Sequence, residues 1–124
     1  MALMLAAGLC SCDNKINSSF DRSLLYGKWQ EGSVFEHYYD SIIDFVLPNN
    51  DTIQVNGLTW DESDDVGEDE AQAFNWTLSG STLTQEHVGS FTFVPKVYTV
   101  TTLTSSSLCY EDAYGIVHRF SKVD

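Results

Sequence analysis

The sequence predicts an all-β chain, a single up-and-down antiparallel β-barrel of about eight strands, and three observations lead there. No stretch sustains a helical period for three turns, whereas aromatic and β-branched residues dominate from Leu25 onward. Phe74, Trp76 and Leu78 alternate with Asn75, Thr77 and Ser79, the pattern of a sheet with one wet side. Turn residues punctuate the apolar runs at short intervals. A meander of this size avoids exposed edges best by closing on itself.

The strands follow in order. Residues 25–31 and 34–46 open the domain, and Pro48 with Asn49-Asn50-Asp51 ends the second. Residues 52–55 and 58–61 flank Asn56-Gly57, a pair that predicts a two-residue hairpin between them. Residues 73–78 and 82–87 are joined by Ser79-Gly80-Ser81. Residues 91–103 form a long strand, and 107–111 and 116–122 are joined by Asp112-Ala113-Tyr114-Gly115.

The N-terminus carries a different signal. Met1 to Leu9 is uncharged and apolar, then Leu9-Cys10-Ser11-Cys12 gives way at once to Asp13-Asn14-Lys15. The run is shorter than the roughly 20 residues of a membrane-spanning helix and suits the core of a secretory signal. Leu-x-small-Cys resembles a bacterial lipobox, with Ser11 before Cys12 and Leu9 three residues before it. The expected organisation is a lipoprotein signal peptide over 1–11, a lipidated Cys12 with a polar tether over 12–23, and a barrel domain over 24–124. On that reading Cys10 leaves with the signal and Cys12 becomes a thioether. Cys109 is then expected as a small buried hydrophobe with no internal disulfide partner.

Eighteen acidic residues against six basic ones give a net charge of −12. Such a surface repels phosphate backbones, which excludes nucleic acid as a partner. It also disfavours adsorption to anionic headgroups, leaving the acyl chains as the only membrane contact.

Leu25-Tyr26-Gly27-Lys28-Trp29 resembles the Gly-x-Trp signature that opens the first barrel strand of lipocalins. The distal half extends the likeness: Phe74-x-Trp76-x-Leu78-x-Gly80-x-x-Leu83-Thr84, Val94-Pro95-Lys96-Val97-Tyr98-Thr99-Val100, Leu103-Thr104-x-x-x-Leu108-x-Tyr110-Glu111-Asp112-x-x-Gly115 and Phe120-x-Lys122. Together they resemble the small lipocalin-like lipoproteins of Bacteroidetes, over nearly the whole chain after the signal. The resemblance implies a calycin-type barrel on a lipoprotein of the cell envelope, at the outer membrane. It implies that Gly27 permits a bend and that Trp29 plugs the closed end. An arginine late in the chain stacks on that tryptophan in lipocalins. Arg119 is the counterpart here, the alternative being an Arg119 solvated on the outer face. The Thr-Asp-Tyr-like second motif, a disulfide pair and a C-terminal helix of true lipocalins are not found in the sequence.

No nucleophile, phosphate-cradling or dinucleotide motif occurs, and no pair of carboxylates stands out, so the chain reads as a non-enzyme without cofactor. His37, His87 and His118 lie on separate strands without metal-ligand spacing. The acidic run from Asp61 to Glu70 fails the calcium-loop template, with Val66 where glycine is required and Gln72 where glutamate is, and reads as a solvated, mobile loop at the barrel mouth. If it did hold a metal, Asp61, Asp64, Asp65 and Glu68 would be the ligands to test. Two readings of the aromatics stay open. Phe35, Tyr38, Trp60, Phe74, Trp76 and Tyr98 line a pocket for a small apolar ligand, or they fill the barrel of a module that docks onto another envelope protein. An internal cavity of at least about 300 Å³ marks the first, and a filled core with an exposed apolar patch marks the second.

Overall fold

The computed structural model describes residues 20–89 and 92–123. Eight strands run β1 Gly27–Glu31, β2 Val34–Val46, β3 Thr52–Asp61, β4 Gln72–Ser79, β5 Thr82–Val88, β6 Phe93–Leu103, β7 Ser107–Glu111 and β8 Val117–Lys122. Each pairs antiparallel with the next, and β8 returns to β1, closing the barrel. This is the expected up-and-down architecture. The expected signal peptide, over 1–11, and Cys12 lie outside the described residues.

One predicted turn is absent. β3 passes straight through Asn56-Gly57, so the nine expected strands become eight. Gly57 sits opposite Phe74, whose ring lies where a side chain would project: a Cβ there would come 2.3 Å from Phe74 Cε1. Asn56 extends the β3–β4 seam with its side chain, accepting from the Trp76 N–H and donating to the Trp76 carbonyl. Both residues serve packing rather than a turn.

The strand register assigns faces. Trp29, Glu36, Tyr38, Phe74, Trp76, Leu83, Gln85, Tyr98, Val100, Leu108, Tyr110, Phe120 and Lys122 point inward, whereas Phe35, His37, Leu58, Trp60, Ala73, Cys109 and Arg119 point outward. Inside, the large side chains form one cluster from Leu25 to Phe120. The base of the barrel is closed by the N-terminal segment. A 3₁₀ turn at Arg22–Leu24 is capped by Asp21, Phe20 packs against the core and bonds through its N–H to Gly80, and Arg22 lies 4.7 Å from the Trp76 ring. Residues 20–23, expected as tether, therefore belong to the barrel.

Trp29 lies in this closed lower half, fully buried, with Nε1 donating to the Leu25 carbonyl at 2.8 Å. Gly27 two residues before it adopts φ +121°, a conformation open to glycine. The cation over Trp29 is not Arg119. Lys122 pairs with Trp29 in register and places Nζ 4.7 Å from its ring, while Arg119 has the opposite parity and is exposed.

A second cluster lies on β2–β4: Val55, Leu58, Trp60, Ala71 and Ala73, joined by Phe35, Tyr39, Ile43, Phe45 and Val66, with Phe35, Leu58, Trp60 and Ala73 on the outer face. It exists because the 62–71 segment folds back over this outer face. Cys109 also corrects an expectation. It is buried as foreseen, but it is disulfide-bonded.

Candidate functional site

Strand direction puts the C-terminal ends of β1, β3, β5 and β7, with the 32–33, 62–71 and 112–116 connections, at one end, the mouth. Inward-facing side chains grow more exposed toward it. Leu83 and Leu108 in the lower half are fully buried; Val94 and Lys96, inward by register, are exposed. Beyond Thr99 β6 pairs with β5 alone, which leaves that side of the mouth open.

Between floor and mouth lies a buried polar network that the sequence reading missed. Glu36 on β2 accepts from Tyr38 Oη at 2.6 Å and Tyr110 Oη at 2.8 Å. Gln85 on β5 donates to Tyr38 Oη at 2.7 Å, and His87 Nε2 donates to Gln85 Oε1 at 2.7 Å. Every buried side-chain polar atom among the described residues has a partner. Burial away from water raises the Glu36 carboxyl above its ordinary value, against the pull of the Tyr38, Tyr110 and Gln85 hydrogen bonds. Burial likewise lowers His87 to about 4, with the Lys96 charge adding to it, so this imidazole is neutral and needs one acceptor. Tyr98 stacks on Tyr110 at 4.3 Å and is pushed up to about 12, chiefly by burial.

The acidic segment is a strap rather than a free loop. Two 3₁₀ turns, Glu62–Asp64 and Glu68–Glu70, carry it over the outer cluster. Asp61 caps the first turn through Ser63 and also accepts from Ser33 at 2.7 Å; these bonds, Ser33 foremost, hold its carboxyl below the usual range. Glu68 anchors the second to His37 Nδ1 at 2.5 Å, Tyr39 Oη at 2.9 Å and Lys28 Nζ at 3.2 Å. Burial works against its charge, but these three bonds outweigh it and lower the carboxyl. The expectation of mobility thus gives way to three side-chain anchors plus Val66 and Ala71 in the apolar cluster.

Between strap and strands opens a cleft of about 250 Å³, lined by Val34, Thr59, Trp60, Asp61, Asp64, Val66, Glu70 and Gln72. Trp60 forms one wall, stacked on Phe35 with ring centroids 5.3 Å apart and planes 5° apart. Three carboxylates and no basic side chain line it.

The six aromatic ligand candidates do not converge. Tyr38, Phe74 and Trp76 are core, packed edge to face at 5.4–5.5 Å, and Tyr98 leans on Tyr110. Phe35 and Trp60 lie on the opposite face of the sheet, and of the six only Trp60 reaches the described cleft. Of the four metal candidates, Asp61 is bonded to Ser33 and Ser63 and Glu68 to His37, Tyr39 and Lys28, and no group of three metal-ligating side chains occurs among the described residues. Comparison with known proteins returns no matching family, no matching curated protein and no matching solved structure.

Proposed function

We propose that this chain is a lipid-anchored binding protein of the cell envelope, at the outer membrane, which holds a small molecule without transforming it. The barrel interior is filled by the Leu25–Phe120 cluster rather than opened into the internal cavity expected of a ligand barrel, so the observation that carries the reading is instead the cleft beside Trp60, a concave site with an aromatic wall outside that core. Its 250 Å³ lies below the roughly 300–1,000 Å³ of drug-sized pockets, so the ligand is small. Val34, Trp60 and Val66 accept an apolar surface, Thr59 and Gln72 offer hydrogen bonds, and Asp61, Asp64 and Glu70 repel anions. The lipocalin-like lipoprotein resemblance and the lipobox at Cys12 support the location.

Native mass spectrometry of protein taken from its own host tests the binding reading, with a retained small molecule as the expected result. Loss of that adduct in Trp60→Ala places it in the cleft. Fatty-acid labelling tests the anchor: Cys12→Ala should abolish it, and equal labelling of that variant would refute lipidation there.

A second reading, an interaction module, draws on Phe93, Val94, Val97, Tyr114 and Ile116, large apolar side chains exposed at the mouth end. A protein partner and no small molecule in the same experiment would favour it.

A further inference from the structure

The barrel closes on a thin seam. Main-chain pairing between β1 and β8 covers Trp29↔Lys122 and Gln30↔Ser121. Toward the mouth, the side chain of Glu31 takes over. Its Oε2 accepts the Arg119 N–H at 2.7 Å, and its Oε1 lies 3.1 Å from His118 Nδ1. The other nitrogen of the same ring, Nε2, lies 3.1 Å from Asp112 Oδ2, while Asp112 Oδ1 accepts from the Tyr114 and Ile116 N–H groups of the β7–β8 turn.

Carboxylates only accept, and a neutral imidazole carries one N–H. Both contacts are hydrogen bonds only when both nitrogens are protonated. We propose that His118 is a proton-operated clasp on the closing seam: as imidazolium it ties β1, β8 and the β7–β8 turn together, and as neutral imidazole it releases one carboxylate and loosens the mouth. The side chains of His118 and Glu31 are about one-third exposed, at 32% and 34%, so the proton exchanges with bulk water. Glu31 pairs with Val34, a wall of the cleft, so the clasp stands one strand from the proposed binding site.

Titratable and charged groups face the ring from several elements. Glu31 faces it from β1, Asp112 from the turn, and Tyr110 from β7 with its ring 5.5 Å away. Glu36 on β2 feels the Glu31 charge, while Glu111 and Arg119 occupy outward positions beside it. Burial lowers the imidazole, but its bonds to Asp112 and Glu31 outweigh this and raise it above its ordinary value. The clasp therefore holds below pH 6.5 and lets go as pH rises through the higher folded value.

The inference goes beyond the binding reading, and its test needs no ligand. ¹⁵N NMR follows the His118 ring while amide exchange of Arg119, Tyr114 and Ile116 is measured against pH and corrected for intrinsic base catalysis. A stepwise acceleration, of the order of tenfold, should coincide with the His118 midpoint. His118→Gln should abolish the step. Glu31→Gln keeps an oxygen for the Arg119 amide but loses the charge, so midpoint and step should move to lower pH together. A wild type without the step overturns the proposal, as does a His118→Gln protein that retains it. So does a step that stays in place while the midpoint moves.

Discussion

Replacing Trp29 by alanine isolates what closes the barrel. The indole is fully buried, its N–H holds the Leu25 carbonyl at 2.8 Å, and Lys122 covers its face at 4.7 Å. Truncating a buried aromatic costs about 3–5 kcal/mol through lost transfer energy and the cavity left behind. The Leu25 carbonyl, on a fully buried residue, then loses its partner, which adds about 1–3 kcal/mol unless water enters. Against a total of about 5–15 kcal/mol for a small domain, the variant is expected to be largely unfolded or close to it. Trp29→Phe separates the two contributions, because it keeps most of the ring and loses only the N–H. Urea denaturation gives the midpoint and the slope, and an unchanged slope shows that the native and denatured states kept their compactness. Trp60→Ala serves as the control. That ring is also nearly buried, but it lies under the strap, which can settle into the gap, so the loss should be smaller. A Trp29→Ala protein within about 1 kcal/mol of wild type would refute the assignment of Trp29 as the plug of the closed end.

Glu36→Gln should change how stability depends on pH. The Glu36 carboxyl is raised in the folded barrel, so the folded state holds its proton longer than the unfolded chain, and wild-type stability falls as pH rises from the ordinary 4.5 through the folded value. Glutamine cannot ionise, and the Tyr110 hydroxyl can turn from donor to acceptor, so the variant should gain on wild type across that range; parallel curves of urea midpoint against pH would refute this. Glu68→Gln removes the charge that holds Lys28 and His37. Because the side chains of such a pair are about 30% exposed, global stability should move by less than about 1 kcal/mol. Limited proteolysis within 62–71 should nonetheless accelerate. Millimolar calcium should leave the melting temperature where matched ionic strength leaves it, since the Asp61 and Glu68 carboxylates are already committed to Ser33, Ser63, Lys28, His37 and Tyr39.

Which parts of this molecule can be read from the chain depends on the distance over which each residue is satisfied. Strand 34–46 is legible because alternation and the Pro48-Asn49-Asn50-Asp51 break are local, and β2 ends where they say. Asn56-Gly57 misleads because its local preference for a hairpin loses to the Phe74 ring, 17 residues onward and invisible to a short window. The six candidate ligand aromatics divide between the two faces for a related reason. In Val34-Phe35-Glu36-His37-Tyr38-Tyr39 both faces carry rings, and the glutamate sits on the set that points inward. Any local reading puts Glu36 in water. Only Tyr110, 74 residues away, with Gln85 acting through Tyr38, makes its burial tolerable. Arg119 and Lys122 differ by parity alone, and parity is set by which residue of β8 meets Trp29 across the seam, a fact fixed by closure. The strap follows the same rule. Its carboxylates look solvated until Glu68 finds Lys28, His37 and Tyr39 on the first two strands, about thirty or more residues back. Local chemistry thus writes the barrel, while the features proposed for binding and for the clasp are written by contacts that exist only once the barrel has closed.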